Sequence, residues 1–364
     1  MARTLANLDD LTPQWLTETL HREGHLPNGE VTSVEVTSSR AIITSSIAFL
    51  DVTYSGGSTD LPTKLFLKFA NPDSKLDDLA MLAAWKEEKY YRVLHPRCNP
   101  CPSRDVLDVQ VDESSQQFHL LMADVSETHF QDQWSSLPAM TVETNQRFFE
   151  ILATFHAQWW DHPDLPDLAD QMPEVNTVVY GLDIESIEAC FQPFADAFGE
   201  FVSSDRLRLY ERILASIPEQ RDLRGHKRLT ESGHLTIIHE DAHPGNVFFP
   251  KNLETHDPFL IDWQSWRVQP GTNDIAYLPI LSWYPYRRTS VEHLLVDHYY
   301  NKLVEAGVED YAWEDCWHDY RLSALRMMLK VPLFQRLGVG DNACYQLMER
   351  SFLNFESLEL EELI

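Results

Sequence analysis

No apolar run in the 364-residue chain approaches the roughly 20 residues that a membrane-spanning helix needs. Positive charge is also scarce: 29 lysines and arginines stand against 57 aspartates and glutamates, a net charge of −28. Such a field repels phosphate backbones and anionic lipid, so neither nucleic acid nor membrane is an expected partner. It attracts cations such as amines and keeps a surface solvated. Cysteine is sparse, and the five present are an odd number, which argues against a disulfide framework. Cys98 and Cys101 alone lie close together, and neither a second CxxC nor a nearby histidine pair completes a metal site. The prolines around them, Pro96, Pro100 and Pro102, read as a structural loop. There is no internal repeat and no low-complexity tract. The opening residues Met1 to Asp10 turn acidic before a signal-peptide core could form, so a cytoplasmic protein is expected.

Core-forming residues are plentiful. Hydrophobic residues make up 43% of the chain, with ten tryptophans and eighteen phenylalanines, which excludes a disordered chain. The length fits two or three domains or one two-lobed enzyme. Residues 9–24 read as a helix, with Thr12 as N-cap, Pro13 in the first turn, and Trp15, Leu16 and Leu20 on one face. From about residue 31 the period changes to that of strands. Val31, Val34 and Val36, then Ile42 to Tyr54, then Leu65 to Phe69 are separated by turn signals such as Ser55-Gly56-Gly57-Ser58. Helical spacing returns over 76–94, and short strands follow near 104–111 and 117–123. Asp124-Val125-Ser126 reads as a connector. Beyond about 140 the pattern is helical except for one strand-rich insert at 235–268. The expected fold is α+β, with an antiparallel-sheet part over 1–123 and a mainly helical part over 124–364.

That insert carries the chemistry. The apolar Leu235 to Ile238 runs into His239-Glu240-Asp241-Ala242-His243-Pro244-Gly245-Asn246 and out through Val247-Phe248-Phe249. A third short strand, Phe259 to Ile261, ends in Asp262-Trp263-Gln264. Polar loops abutting from neighbouring strands would gather Asp241, Asn246 and Asp262. Magnesium is a hard cation that takes one or two protein carboxylates together with substrate phosphates, which Asp262 and the Asn246 amide oxygen fit. Asp241 would stay free of the metal to accept the proton of an attacking hydroxyl. The spacing of Asp241 and Asn246 equals that between base and metal-binding Asn in a kinase catalytic loop. Two rivals stay open: a metal-dependent hydrolase using His239, Asp241 and His243 as a ligand run, and a pseudokinase that only binds.

His239 to Asn246 resembles the H-G-D-x-H-P-x-N signature of aminoglycoside phosphotransferases, choline kinases and their relatives. Leu260 to Gln264 is similar to their I-D-[WFY]-[EQD] segment, and Gly271 to Tyr277 to the following D-[LIP]-A segment. The ecdysteroid-kinase-like group is the nearest of these relatives, suggested by Leu295 to Tyr300, Gly307-Val308 and Tyr311 to Glu314. The resemblance spans about residues 35–335 and is specific over 238–277. It implies a two-lobed protein-kinase-like fold with ATP and Mg2+ as cofactors, and a small hydroxylated acceptor bound to a monomer or homodimer. It also implies that Lys68 meets the nucleotide phosphates, with Glu87, or else Glu88, as its partner. Met122 and Asp124 fall in the hinge that would bond adenine. His239 would brace the loop with Asp274, while His243 falls where the transferring phosphate is touched. The phosphate-covering hairpin falls near Ser38 to Ser46 and lacks glycine, so hydroxyls such as that of Ser45 are expected to replace backbone contacts. Glu240 stands where the family has glycine and would add a charge beside the base. Acceptor-binding groups would come from helices near 150–200 and 280–335. Acidic side chains there would suit an amine, and Trp159, Trp160, Tyr284 and Tyr286 a flat apolar molecule.

Overall fold

The computed structural model of the chain describes residues 4–42, 45–56, 60–71, 77–131, 141–170, 184–224, 228, 233–336 and 338–364. The chain divides into two compact units. The first holds residues 1–130 together with 248–265, the second 131–247 together with 266–364.

In the first unit, helix α1 (Pro13–Arg22) starts where expected: the Thr12 hydroxyl accepts the Trp15 amide, with Pro13 in the first turn. Strands β1 (Glu30–Ala41), β2 (Ser45–Ser55), β3 (Lys64–Ala70), β4 (Val106–Asp112) and β5 (Gln117–Ala123) form one sheet in the order β1-β2-β3-β5-β4. Its pairs are antiparallel. The two-residue period of a strand decides what each face of β3 meets. Leu65, Leu67 and Phe69 point into a core shared with Trp15, Leu16 and Leu20 of α1. Ala70, of opposite parity, packs against Met81 and Ala84 of helix α2 (Asp77–Lys89) and against Phe118. Lys68 shares that parity, so the alternation that builds the core also turns this lysine toward α2.

After Lys89 the helix widens into a looser turn over Tyr90–Leu94. Tyr90 stacks flat on Trp263, ring centroids 3.9 Å apart and planes 5° from parallel. Strands β6 (His129–Gln131), β8 (Val247–Pro250) and β9 (Phe259–Leu260) form a second, small sheet in the order β6-β8-β9.

The second unit is mainly helical. Its helices are α3 (Val142–Gln158), α4 (Leu165–Asp170), α5 (Ile184–Phe198), α6 (Ser204–Arg224), α7 (Thr272–Tyr277), α8 (Pro285–Glu305), α9 (Trp313–Arg336) and α10 (Asp341–Ser357). Strand β7 (Thr236–Ile238) is fully buried and pairs antiparallel with β10 (Arg267–Gln269), Ile238 opposite Arg267. The strand-rich stretch is therefore not the single insert that the sequence suggested: β7 and β8 belong to different sheets, and the Asp241 loop runs from one to the other. Residues 322–332 of α9 are buried without a break, and they include Arg326 and Lys330. Charges that deep survive only when paired, and Glu240 pairs with both.

The packing of β3 makes a first prediction. Leu67 is fully buried, whereas Val36 on β1 is 39% exposed. Leu67→Ala is expected to cost roughly 2–5 kcal/mol in chemical denaturation and Val36→Ala less than about 0.5. Equal effects would mean that the alternation does not carry the core.

Candidate functional site

In the first unit the site begins at Lys68. Its ammonium donates to Glu87 Oε2 at 2.8 Å and to Asp262 Oδ1 at 2.5 Å. Burial works against the charged ammonium, but the Asp262 and Glu87 carboxylates outweigh it and raise the Lys68 pKa. Burial raises the Glu87 pKa, against the pull of Lys68. Glu88, the alternative partner, is bonded to Arg92 instead. Asp262 follows β9 at φ +64°, a left-handed conformation that aspartate tolerates better than most residues. Its second oxygen accepts from Gln264 Nε2 at 3.1 Å. The residue after it, Trp263, is fully buried as core, as is Trp266 in the second unit.

The remaining nucleotide candidates occupy the sheet. Met122 lies opposite Phe66 on β3 and Val106 on β4. The Asp124 amide donates to Lys64 O at 2.9 Å, and its carboxylate accepts the Ser126 amide and hydroxyl. That amide and that carboxylate are thus already engaged. Ser38 to Ala41 and Ser45-Ser46 are strand rather than loop. Ile43 and Thr44 lie outside the described residues. Ser45 is fully buried, and its hydroxyl has no partner among the described residues.

In the second unit the site is the turn from β7 to β8. Asp274 holds it, because its two carboxylate oxygens accept the amides of His239 at 2.7 Å and Glu240 at 2.8 Å. His239 turns its ring inward, where Nδ1 accepts the Asp241 amide at 3.2 Å. His243 Nδ1 likewise accepts the Gly245 amide at 3.0 Å. Asn246 Nδ2 lies 3.0 Å from the Asp241 carbonyl and 3.2 Å from its Oδ2. Both bonds use the amide nitrogen, which leaves the Asn246 oxygen as an acceptor. Burial would raise the Asp241 pKa, yet His243, Lys330, His239 and a bond from Tyr277 lower it, so the carboxylate stays ionised.

Glu240 is not the stray charge beside Asp241 that the sequence suggested. It is buried at φ +74°, the conformation in which glycine is at ease and glutamate is not. Arg326 grips its carboxylate through two bonds of 2.8 and 2.7 Å. Lys330 bonds both its carbonyl and its side chain, and Arg267 approaches at 3.5 Å. Burial opposes ionisation, but these three cations hold the Glu240 carboxyl well below its usual range. The left-handed turn costs about 1–2 kcal/mol, and removing one partner of the buried cluster would cost roughly 3–5 kcal/mol because it leaves uncompensated charge.

Lys330 also lies 4.7 Å above the Tyr277 ring, so its charge reaches Glu240 and Asp241 together. Arg326 and Lys330 had escaped the sequence reading, leaving only their four-residue spacing along α9 as a signal, and Tyr277 had been noted only as the end of the Gly271–Tyr277 segment. Of the acceptor candidates, Trp159 is buried as core, which removes it as a ligand wall. Trp160 packs on His234 and Tyr311, Tyr284 lies under Arg350, and Tyr286 is 94% exposed. Residues 171–183 of the expected acceptor region lie outside the described residues. Among the described residues no group of three or more histidine, cysteine or acidic side chains is arranged to hold a metal ion. His239 and His243 of the run in the hydrolase reading each turn Nδ1 to a backbone amide.

Each unit therefore gathers its own part of the expected set: Lys68, Glu87 and Asp262 in the first, Asp241, His243 and Asn246 in the second. The fold is shared with known kinases. An ethanolamine kinase of Plasmodium vivax superposes with a TM-score of 0.52 at 12% identity, covering 91% of this chain and 85% of that one. A choline kinase of Cryptosporidium parvum gives 0.54 at 9% identity, covering 91% of each. A variant of aminoglycoside 2'-phosphotransferase-IIIa in complex with GDP gives 0.51 at 12%, covering 95% and 99%. At these identities the likeness is one of fold. No curated protein sequence matches the chain. Residues 85–309, more than half of its length, match the ecdysteroid kinase-like family, and the chain belongs to that family.

Proposed function

We propose that the protein is an ATP-dependent small-molecule kinase that transfers the γ-phosphate to a hydroxyl of a small acceptor. The observation that carries this reading is Lys68 held buried between Glu87 and Asp262. A lysine kept charged and aimed by one carboxylate, beside a second carboxylate that faces a metal, is what phosphate binding requires. Lys68 then binds the nucleotide phosphates and Glu87 aims it. Met122 and Asp124 contribute the strand end to which adenine is bonded. Ser45 offers a buried hydroxyl still in need of a partner, and leaving it so would cost roughly 1–3 kcal/mol.

The donor set suits magnesium. Asp262 and the Asn246 oxygen would offer it hard oxygen ligands, and the Asn246 amide is already oriented by Asp241. When bound, magnesium neutralises charge on the phosphates. Asp241, ionised and aimed by Asn246 and Tyr277, accepts the proton of the attacking hydroxyl. His243 stands two residues on, where it steadies the transferring phosphate. The acceptor is a hydroxyl-bearing metabolite or antibiotic-like molecule. The two arginines and one lysine around Glu240 keep the loop in place while its carboxylate neighbour does the proton work.

A second reading, nucleotide binding without transfer, is favoured by the absence of glycine between Ser38 and Ser46. It shares the fold and differs in turnover, so the first test is ATP consumption over a panel of amino-alcohols, aminoglycosides and hydroxylated sterols. Asp241→Asn is expected to lower the turnover found by roughly 100-fold or more, with nucleotide affinity little changed. Near-full turnover in that variant would remove Asp241 as the base, and ATP binding with no turnover on any acceptor would favour the second reading.

Asp262→Ala should abolish magnesium-dependent transfer, because a methyl group offers a hard cation no ligand. Transfer that persists after thorough chelation, or that requires zinc, would be incompatible with the roles given to Asp262 and Asn246.

Glu240 makes a prediction about stability. Its folded pKa is depressed below the ordinary 4.5, so its contribution is present above that pH and is lost as pH falls through the folded value. Glu240→Gln leaves Arg326, Lys330 and Arg267 without their counter-charge and is expected to cost roughly 3–5 kcal/mol at neutral pH. The variant should also lose less of its remaining stability than the parent between pH 4.5 and 2. Parallel acid-unfolding curves would show that the carboxylate does not carry the cluster.

A further inference from the structure

We propose that Cys98 and Cys101 form a thiol–disulfide site, with Cys101 the attacking sulfur, Cys98 the resolving one, and small disulfides as the co-substrate. The geometry sits in the loop after the widened turn, within the first unit. The Cys101 sulfur lies 3.0 Å from His95 Nδ1, and His95 Nε2 lies 2.9 Å from Asp105 Oδ1. A thiol beside an imidazole is an arrangement that activates a sulfur nucleophile, because the ring takes the proton. The other hydrogen-bond partners of this ring are Asp105, whose side chain is 98% exposed, and the Ser103 hydroxyl, 2.8 Å from Nδ1. The Ser103 hydroxyl lies 3.3 Å from the same sulfur, with Tyr90 behind it.

Cys98 is in hydrogen-bond contact with Cys101, and its thiol also reaches the Leu94 carbonyl at 3.2 Å. Bonding from Cys98, then from His95 and Ser103, holds the Cys101 thiol down to about 4 against the opposing effect of burial. The buried Cys344 shows the reverse, with burial pushing its thiol up to about 11. Neither loop cysteine is in a disulfide, and both are half-buried, hence within reach of a small reagent.

The chemistry balances with one disulfide, RSSR. The Cys101 thiolate attacks one of its sulfurs, forms a mixed disulfide and expels RS−. Cys98 then attacks the Cys101 sulfur, closes the Cys98–Cys101 bond and expels the second thiolate. The two protein thiols are oxidised, RSSR is reduced to two RSH, and the two protons lost by the cysteines go to the leaving thiols. Nothing in this rests on the phosphotransfer reading, and the test does not use that activity.

The test is alkylation of the full chain by iodoacetamide at pH 5, with free cysteine as reference and the sites read by peptide mass spectrometry. There an ordinary thiol near 8.5 is only about 0.03% ionised, while Cys101 is largely thiolate. The weaker nucleophilicity of a stabilised thiolate removes roughly two of those three and a half powers of ten, leaving about thirtyfold. Cys101 should therefore react about thirtyfold faster than free cysteine, and His95→Gln should lower that excess. With oxidised glutathione the parent should close to a Cys98–Cys101 disulfide without retaining glutathione, and Cys98→Ser should retain one glutathione on Cys101. A Cys101 no faster than free cysteine would overturn the proposal. So would a parent that stays a dithiol in excess oxidised glutathione, or one zinc per chain that shields both thiols.

Discussion

Asp274 accepting two consecutive backbone amides is the interaction on which the second unit's loop depends. The amides of His239 and Glu240 point the same way only if the chain turns sharply after β7, and that turn forces φ +74° on Glu240. Once the turn exists, Asp241 follows it with its own amide bonded to the His239 ring. Asn246, five residues on, reaches back to the Asp241 carbonyl and carboxylate. The loop is thus closed at both ends by side chains that bond backbone, and backbone bonds define a position more tightly than contacts between flexible side chains do.

The first unit solves a different problem. A lysine inside a protein is unstable unless opposite charge surrounds it. The solution follows from parity along β3: positions 65, 67 and 69 fill one core, so 66, 68 and 70 must face the helix on the other side. Glu87 lies on that helix, ten residues after its start. Asp262 arrives from β9, where a left-handed backbone angle turns it toward Lys68. Together the two carboxylates outweigh the burial of the ammonium, and the lysine stays charged.

Much of this could be read from residue spacing. The Thr12 cap, the alternation of β3 and the five-residue step from Asp241 to Asn246 are local patterns, set by periods of two or of 3.6 residues or by one loop. What escaped was non-local. Arg326 and Lys330 reach Glu240 across 86 and 90 residues, and no local period relates such positions. Glu240 therefore looked like a charge without an owner, and the strands around it like one insert, because sheet membership is decided by partners far away. The same distance explains why Trp159 resembled a ligand wall and proved to be core.

The charge balance acquires a different meaning once the cations are located. With only 29 lysines and arginines in the chain, burying Lys68, Arg267, Arg326 and Lys330 at the two site segments is a substantial commitment of scarce charge. Glu87 and Asp262 answer the first of these, while the other three converge on Glu240. Set against Glu240 and Asp274, these three cations leave a net positive charge beneath the turn that holds Asp241. Charges close by act through a medium less polar than water, so each counts for more there than a distant surface carboxylate screened by salt. The field that Asp241 feels is accordingly opposite in sign to that of the molecule as a whole. An acidic protein can in this way keep one carboxylate ionised, and an anion tolerable beside it, without changing its net charge of −28.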